Sequence, residues 1–214
     1  MGQADAWLRG APEVSEAIRP AATVILWRAG SDGPEVLMGQ RGAGAAFMPS
    51  KYVFPGGGVD ACDALSPAPH ALAPLCAARL GQSVLPDAPA AGTLAACALR
   101  ELAEETGLTL AAPEAALRFV FRAITPPGRS RRFDARFFLV PAARIAGDAE
   151  DFSAASDELS HLHWIGTGAA RALDLPFVTE VVLAEVAALV AGHPDQGVPF
   201  FDNSGPRPAF RRLV

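Results

Sequence analysis

"CALRELAEETGL", residues 97–108, places one arginine and three glutamates within six consecutive positions. Apolar residues recur between these charges at helical spacing, which predicts an amphipathic helix over residues 93–106. Thr93 suits the N-cap of this helix, and Gly107 suits the position just after its end. The segment is therefore predicted to be a packed helix that carries an acidic face.

The acidic face of this helix needs a physical explanation. Glu101 and Glu105 lie four residues apart on one line, with Glu104 next to Glu101, and an arginine at position 100 can pair with Glu104. Like charges at this spacing, and negative charges near a helix C-terminus, each destabilise a helix by about 0.3–1 kcal/mol. One interpretation is a solvated acidic surface. The other is that a divalent cation such as Mg²⁺, which prefers oxygen ligands, supplies the missing positive charge.

A second segment, "FPGGGVDACD" at residues 54–63, favours the cation. Adjacent glycines let the backbone come close to an ion or a ligand and leave carbonyl groups free to face it. A glycine run alone is more often a bulge or a turn. Combined with the acidic helix, it makes the pattern much more specific.

The rest of the chain predicts strands and helices that alternate without the regularity of βαβ units, so we expect an α/β fold with a mixed β-sheet sandwiched between helices. Residues 61–92 are rich in alanine and proline and are interpreted as an insertion with one short helix near 71–80. We expect a single domain over 1–214, with a core of about 21–192 and an irregular C-terminal tail at 193–214. Strands are expected at 21–28, 35–42, 53–58, 117–125, 131–140 and 161–166, and a second long helix at 176–192.

Composition bounds the class of protein. Of 214 residues, 50% are hydrophobic and 19% are charged, which is typical of a globular chain. The formal net charge of −5 does not suggest a basic face for nucleic acid or an anionic membrane, and no apolar run reaches the ~18 residues of a membrane span. Three cysteines without a CxxC spacing argue against a disulfide framework and against a zinc site.

The acidic and glycine-rich segments together resemble the Nudix box, whose pattern is G-x5-E-x7-R-E-U-x-E-E-x-G-U with U aliphatic. "RELAEETGL" at 100–108 matches its second half, and "FPGG" at 54–57 resembles the strand that leads into it. If Gly57 is the first box glycine, the box glutamate falls on Asp63, and the box arginine follows 37 positions later instead of eight. The excess of 29 residues coincides with the predicted insertion. An alignment without an insertion would put Gly92 at the glutamate position and lose the carboxylate.

A box split by a long insertion, preceded by "QRGAGAAFMPSKYVFPGG" at 40–57, resembles the branch of the Nudix family that contains the coenzyme A diphosphatases. "ITPPGRSRRFDARFFLV" at 124–140 is similar to that branch as well. The resemblance runs from about 21 to 190. It implies a Nudix fold and metal-dependent hydrolysis of a nucleoside diphosphate linked to another group, with Mg²⁺ or Mn²⁺ as the cofactor.

The resemblance also implies roles for residues of the box. Glu101, Glu104 and Glu105 are implied to be metal ligands, together with the backbone carbonyl of Gly56. Arg100 is implied to orient the glutamates instead of touching the substrate.

The general base is left open by the sequence. Glu101 is one candidate, and a glutamate outside the box is another, with Glu158 ahead of Glu150. The alternative interpretation of both outside glutamates is a plain surface acid.

Arginines in this acidic chain are candidates for binding the substrate's phosphates. Arg41 precedes the glycine-rich loop, and four arginines crowd residues 128–136. We expect Arg41, Arg132 and Arg136 to bind phosphates, including the 3′-phosphate of a coenzyme A, because a guanidinium group matches phosphate geometry. The alternative is a solvated hairpin end in which Asp134 is the ionic partner.

The expected function is that of a metal-dependent pyrophosphohydrolase, with coenzyme A or acyl-coenzyme A as the favoured substrate. Nucleotide sugars, dinucleotides and dinucleoside polyphosphates are alternative substrates, and a non-catalytic nucleotide-binding regulatory module is an alternative of another class. We expect a small-molecule partner, no nucleic acid and no membrane, and leave a homodimer open. A cytoplasmic location is expected because residues 1–20 do not resemble a signal peptide and the final "RRLV" does not resemble a peroxisomal address.

Overall fold

The computed structural model describes residues 17–214, so the first 16 residues of the predicted domain lie outside the described part. Its centre is a mixed β-sheet. The described strands are β1 (Ile18–Gly30), β2 (Gly33–Arg41), β3 (Tyr52–Val53), β4 (Gly56–Gly58), β5 (Arg118–Ile124), β6 (Arg132–Pro141), β7 (Leu159–Gly166), β8 (Val198–Asp202) and β9 (Ala209–Leu213).

The strand order is β3-β2-β1-β6-β5-β8-β9, with β4 added beside β1 and β7 beside β2. The pairs β1–β6 and β5–β8 are parallel, and the other pairs are antiparallel. The described helices are α1 (Ala61–Leu65), α2 (Pro74–Leu80), α3 (Ala91–Thr106), α4 (Thr167–Ala170) and α5 (Phe177–Val190), with 3-10 turns at Pro69–Ala71 and Ala142–Arg144.

Helices cover both faces of this sheet, which confirms the predicted α/β fold. Successive side chains of a strand point to opposite faces, so Val24 and Leu26 of β1 pack into the core beneath α3, while Ile25 packs into the core beneath α5. No helix of residues 17–214 is long and apolar enough to cross a membrane.

The acidic helix α3 is two residues longer at its start than predicted. It begins at Ala91, and Ala90 occupies the N-cap, so the assignment of Thr93 as the N-cap was wrong. Tertiary contacts explain the extra residues, because Gly92 packs against the prolines of the insertion and its carbonyl accepts a hydrogen bond from the N–H of Ala68. The end was predicted correctly: Gly107 is left-handed at φ 74° and closes the helix.

The insertion at 61–92 is folded against the α3 face of the sheet. It contains α1 and α2, whereas the sequence predicted one helix near 71–80. Cys76 and Leu80 of α2 belong to the buried core, and Arg122 of β5 donates hydrogen bonds to the carbonyls of Gln82 and Ser83. The insertion is therefore part of the packed domain.

The prediction of an irregular tail at 193–214 was wrong, because this segment contains β8 and β9. Strand β8 pairs in parallel with β5 and buries Val198 and Phe200, and Leu213 of β9 is buried beside them. Long-range pairing and burial outweigh the local turn-forming residues between these short strands.

Candidate active site

The glycine loop lies unusually close to the acidic helix. Strand β4 pairs with β1, and the N–H of Gly56 donates a 2.6 Å hydrogen bond to Oε2 of Glu105. A Cβ atom on Gly57 would lie 2.6 Å from the carboxylate carbon of Glu101, and one on Gly56 would lie 2.5 Å from the carbonyl oxygen of Ala22. Glycine at both positions is what permits this approach of backbone to carboxylates.

Glu105 is the most constrained carboxylate of the site. Its side chain is 1% exposed, and its Oε1 atom has no hydrogen-bond partner among residues 17–214. Burial raises the pKa of Glu105 to about 8; the bond from Gly56 opposes this shift, and the negative charges of Glu158 and Glu101 add to it. A buried carboxylate with one unpartnered oxygen has a negative charge that its neighbours compensate only in part, and a cation bound beside it would compensate this charge.

Arg100 holds the carboxylates of the site in place. Its Nε and Nη2 atoms donate to the two carboxylate oxygens of Asp63 at 2.9 and 3.0 Å. Its Nη1 atom donates to Glu101 at 2.8 Å and to Glu104 at 3.0 Å. Burial alone would raise the pKa of Asp63, but the hydrogen bonds and charge of Arg100, together with the hydrogen bond from the N–H of Asp60, lower this pKa. Arg100 thus contacts other protein groups, as its predicted orienting role requires.

Glu158 lies close to these carboxylates, although it is far away in sequence. Its Oε1 atom accepts a 2.9 Å hydrogen bond from Nη2 of Arg41, and its charge contributes to the raised pKa values of Glu101 and Glu105. Glu150, the second outside candidate for the general base, instead pairs with an arginine on β1, Arg28, which stacks over a tryptophan ring. Glu158 is therefore the outside glutamate that the fold brings to the site.

Arg132 and Arg136 do not occupy positions that suit their predicted phosphate-binding role. Both are buried: Arg136 pairs with Asp134 at 2.9 Å, and Arg132 donates hydrogen bonds to the carbonyls of Thr125 and Asn203. They lie on one face of β6, and the cleft lies on the other. Asp134 is an ionic partner, as the alternative interpretation held, but inside the fold and not at a solvated hairpin end.

An open cleft of about 1520 Å³ lies beside the glycine loop and Glu101. The loop at 42–49 covers one side of it, since Phe47 stacks edge-on against Phe133 with ring centroids 5.1 Å apart. Among residues 17–214, five basic side chains line the cleft: Arg19, Arg41, Lys51, Arg129 and Arg131. The sequence pointed to Arg41 and to the arginine-rich hairpin. The alternation of side chains along β6 directs Arg132 and Arg136 away from the cleft, whereas Arg129 and Arg131 lie in the turn before this strand.

The profile described as "NUDIX domain" matches residues 17–185. The chain belongs to the NUDIX domain family. A comparison with curated proteins finds no match. Among solved structures, a NUDIX hydrolase from Alicyclobacillus acidocaldarius has 28% sequence identity and a TM-score of 0.59, over 82% of this chain and 92% of that chain.

Two more distant structures support the Nudix fold alone. The NUDIX domain of Shewanella oneidensis NrtR, complexed with ADP ribose, has 13% identity and a TM-score of 0.53, over 87% of this chain and 97% of that chain. A C. elegans Ap4A hydrolase in a binary complex has 15% identity and a TM-score of 0.50, over 82% of this chain and 99% of that chain.

In this Nudix chain, Asp63, near the start of the predicted insertion, meets Arg100, which follows the insertion. Asp63 lies in the first turn of α1, where its Oδ2 atom accepts a 2.8 Å hydrogen bond from the N–H of Asp60. From there it holds Arg100 of α3 with both oxygens. Asp63, at the acidic position of the Nudix pattern, is therefore in contact with the second half of that pattern.

The predicted metal-ligand roles remain predictions. Within residues 17–214, no three or more His, Cys, Asp or Glu side chains converge to hold a metal ion. Arg100 donates hydrogen bonds to Glu101 and Glu104. Gly56 donates its N–H to Glu105, and its carbonyl group is the predicted metal ligand. The donor set nevertheless fits a hard divalent cation, because it is made of oxygens and includes the unpartnered Oε1 of Glu105.

Proposed function

We propose that this Nudix chain is a metal-dependent pyrophosphohydrolase that cleaves the diphosphate of coenzyme A or acyl-coenzyme A. Membership in the family and the likeness to Nudix hydrolases make it a hydrolase of phosphorus-containing anhydrides. The observation that carries the metal-dependent chemistry is the buried Glu105, whose unpartnered oxygen lies beside the glycine loop.

The cation, Mg²⁺ or Mn²⁺, would be held by Glu101, Glu104 and Glu105, with Gly56 beside them. When bound, it neutralises negative charge on the phosphoryl oxygens. Arg100 fixes the directions of Glu101 and Glu104, because its guanidinium group is itself anchored by Asp63. Little covalent chemistry is required of the protein, and positioning with electrostatic stabilisation provides most of the catalysis.

Glu158 is the proposed general base, with Glu101 as the alternative. Its side chain is half exposed and borders the cleft, so it can accept a proton from an attacking water. Glu101 is more buried and already accepts a hydrogen bond from Arg100. Arg41 keeps the carboxylate of Glu158 directed into the site.

The basic lining of the cleft supports a substrate with several phosphates. Arg41, Arg129 and Arg131 border the same space as the glycine loop, and guanidinium groups bind phosphate oxygens in pairs. The Nudix structures that resemble this fold include one complexed with ADP ribose and an Ap4A hydrolase, and both compounds contain a nucleoside diphosphate. The preference for coenzyme A rests on the resemblance of residues 40–57 and 124–140 to one branch of the family.

A substrate panel tests this function. The protein is incubated with Mg²⁺ or Mn²⁺ and with coenzyme A, ADP-ribose, NADH or dinucleoside polyphosphates, and the products are separated by chromatography. We expect coenzyme A to give 3′,5′-ADP and phosphopantetheine only when the cation is present. Turnover of another compound alone would reassign the substrate, and turnover of none would favour a nucleotide-binding regulatory module. The absence of nucleic-acid and membrane partners, the cytoplasmic location and any homodimer stay predictions from the sequence.

A further inference from the structure

One row of directly paired residues crosses the sheet from the glycine loop to the far side of the cleft. Each residue is the register partner of the next across neighbouring strands, so all of them lie on the same face of the sheet. The row consists of Gly58, Ala21, Ala135, Ala123, Phe201 and Phe210. Its first five members line the cleft.

The cleft is long in the direction of this row. Four interstrand spacings separate β4 from β8, which places Phe201 ~19 Å from the glycine loop. The volume of about 1520 Å³ also exceeds the roughly 300–1,000 Å³ of a pocket for a drug-sized ligand. A substrate whose diphosphate lies at the glycine loop therefore has room for a long group along the floor.

The far end of the cleft carries an aromatic cluster, which we call the aromatic platform: Phe177, Phe201 and Phe210. The rings of Phe177 and Phe201 have centroids 6.4 Å apart, and those of Phe201 and Phe210 are 6.1 Å apart. Phe177 is 68% exposed and Phe210 is 57% exposed, whereas six of the other phenylalanines are buried. Exposed aromatic side chains that adjoin a catalytic cleft are typical of a ligand-binding surface.

The surroundings of Phe177 distinguish between two kinds of ligand. The neighbouring lining residues Leu175, Pro176 and Val178 have no side-chain hydrogen-bonding groups, and the hydroxyl of the next residue, Thr179, belongs to a side chain that is buried at 4% exposure. A nucleotide base needs donors and acceptors for selective recognition, whereas an alkyl chain needs only apolar contact. The platform therefore fits an alkyl chain better than a base.

We infer that the aromatic platform binds the acyl chain of an acyl-coenzyme A whose diphosphate lies at the glycine loop and Glu101. This inference rests on the proposed function and makes Phe177 a residue that determines specificity for the acyl group. The small side chains of Ala21, Ala135 and Ala123 leave the floor open between the two ends.

The test compares kcat/KM of the full chain, with Mg²⁺, for free coenzyme A, acetyl-coenzyme A and octanoyl-coenzyme A. We expect the octanoyl thioester to exceed the acetyl thioester by about tenfold or more in the wild type, because methylenes in an apolar pocket increase transition-state binding. Phe177→Ala should bring this ratio close to one, because it lowers kcat/KM for octanoyl-coenzyme A more than for acetyl-coenzyme A or free coenzyme A. Phe177→Leu, which keeps an apolar side chain, should retain most of the preference for octanoyl-coenzyme A over acetyl-coenzyme A.

Leu75→Ala is the matched control. Leu75 is 54% exposed on α2 and does not line the cleft, so its removal should leave the octanoyl-to-acetyl ratio unchanged. Equal kcat/KM values for the two thioesters in the wild type would overturn the inference while the proposed function stands. The inference would also be overturned if Phe177→Ala lowered the turnover of free coenzyme A and of octanoyl-coenzyme A equally. The platform would then bind a part of the molecule that the two substrates have in common. Hydrolysis of ADP-ribose but of no coenzyme A compound would overturn the proposed function and the inference together.

Discussion

Glu105 shows how a functional group is kept in an unfavourable state by the surrounding fold. One carboxylate oxygen accepts a hydrogen bond from Gly56, but the other is buried without a partner. Leaving a buried polar atom unpartnered typically destabilises a protein by about 1–3 kcal/mol. Leu102 and Ala98 anchor the same helix in the core, so the fold tolerates this loss.

The stability of the metal-free protein should depend on pH through Glu105. Burial raises the pKa of Glu105 in the folded state from 4.5 to about 8, so between these values the folded state binds more protons than the unfolded chain. The free energy of unfolding of the protein therefore falls as pH rises from 4.5 to about 8. Glu105→Gln removes this dependence, and we expect the variant to melt several degrees above the wild type at pH 8, with a smaller difference at pH 5.

Thermal unfolding followed by circular dichroism in EDTA at pH 5, 6.5 and 8 measures this difference. In a domain of this size, ~1 kcal/mol corresponds to about 2–4 °C in Tm. Glu104→Gln is the control, because Glu104 is the neighbouring residue in the helix but has an exposed side chain, so the pH dependence of its Tm should match that of the wild type. A Tm difference between Glu105→Gln and the wild type that does not vary with pH would refute the account of Glu105.

Some residue positions could be predicted from the sequence and others could not. The acidic face of α3 and the pairing of Arg100 with Glu104 follow from helical spacing, whereas the hydrogen bonds from Arg100 to Asp63 depend on how α1 packs against α3. Arg132 and Arg136 were chosen as phosphate ligands because they belong to a basic cluster. Which face of β6 meets the cleft depends on how β6 pairs with β1 and β5, and a local sequence does not contain that information.

At the scale of elements, the site depends on how closely β4 approaches α3. Gly57 faces Glu101, whereas Gly58 faces open space, with its nearest neighbour for an added Cβ atom at 4.0 Å. The two adjacent glycines therefore form a natural pair of mutation sites that differ in their distance from the acidic helix.

Gly57→Ala should impair activity much more than stability. The added methyl group would overlap with the carboxylate of Glu101, which can move aside because it ends a flexible side chain, but would then leave its position in the site. We expect kcat to fall by about 100-fold or more, since misplacement by ~1 Å has effects of that size, with little change in Tm. Gly58→Ala should retain most of the activity. Equal loss of kcat in the two variants, measured side by side, would show that the contact with Glu101 does not matter.

The elements themselves were predictable to different degrees. Helix α3 has apolar periodicity and a terminal glycine, and only its first two residues depend on contacts with the insertion. The strands β8 and β9 have five residues each, and β5, the pairing partner of β8, lies more than 70 residues earlier in the chain. Such short strands have little local pattern and exist because tertiary pairing stabilises them.

At the scale of the whole molecule, the insertion contacts the C-terminal segment on the side of the sheet away from the cleft. Arg79 of α2 pairs with Asp195 at 2.9 Å, and the side chain of Gln82 bonds to the backbone of Val214. None of these residues lines the cleft. The sequence left open whether the insertion is a lid, and its packing instead gives it a structural role.

The pair of Arg79 and Asp195 should contribute to stability and not to catalysis. The hydrogen bond from Arg79 lowers the pKa of Asp195 from 3.8 to about 2, so its contribution is present above pH 3.8 and is lost as pH falls toward 2. Because Asp195 is partly exposed, we expect Asp195→Asn to lower the free energy of unfolding at pH 7 by roughly 1 kcal/mol. The difference should narrow below pH 4, and kcat/KM should not change.

Urea unfolding followed by tryptophan fluorescence at pH 7 and pH 3 tests this expectation. Asp32→Asn, in the exposed turn between β1 and β2, is the control and should behave like the wild type at both values. A large loss of kcat/KM in Asp195→Asn with unchanged stability would mean that the Arg79–Asp195 pair affects the active site and is not only structural.

The central claim is that the carboxylates of α3 hold a divalent cation that drives hydrolysis of a phosphorus anhydride. Its most direct test is a titration of turnover with Mg²⁺ in the wild type and in Glu105→Gln, using the best substrate of the panel. We predict saturable, strictly Mg²⁺-dependent turnover in the wild type and a loss of about 100-fold or more in kcat for the variant, whose Tm shows that it is folded. Turnover that does not need Mg²⁺, or a Glu105→Gln variant with the wild type's Mg²⁺ dependence and kcat, would contradict the account.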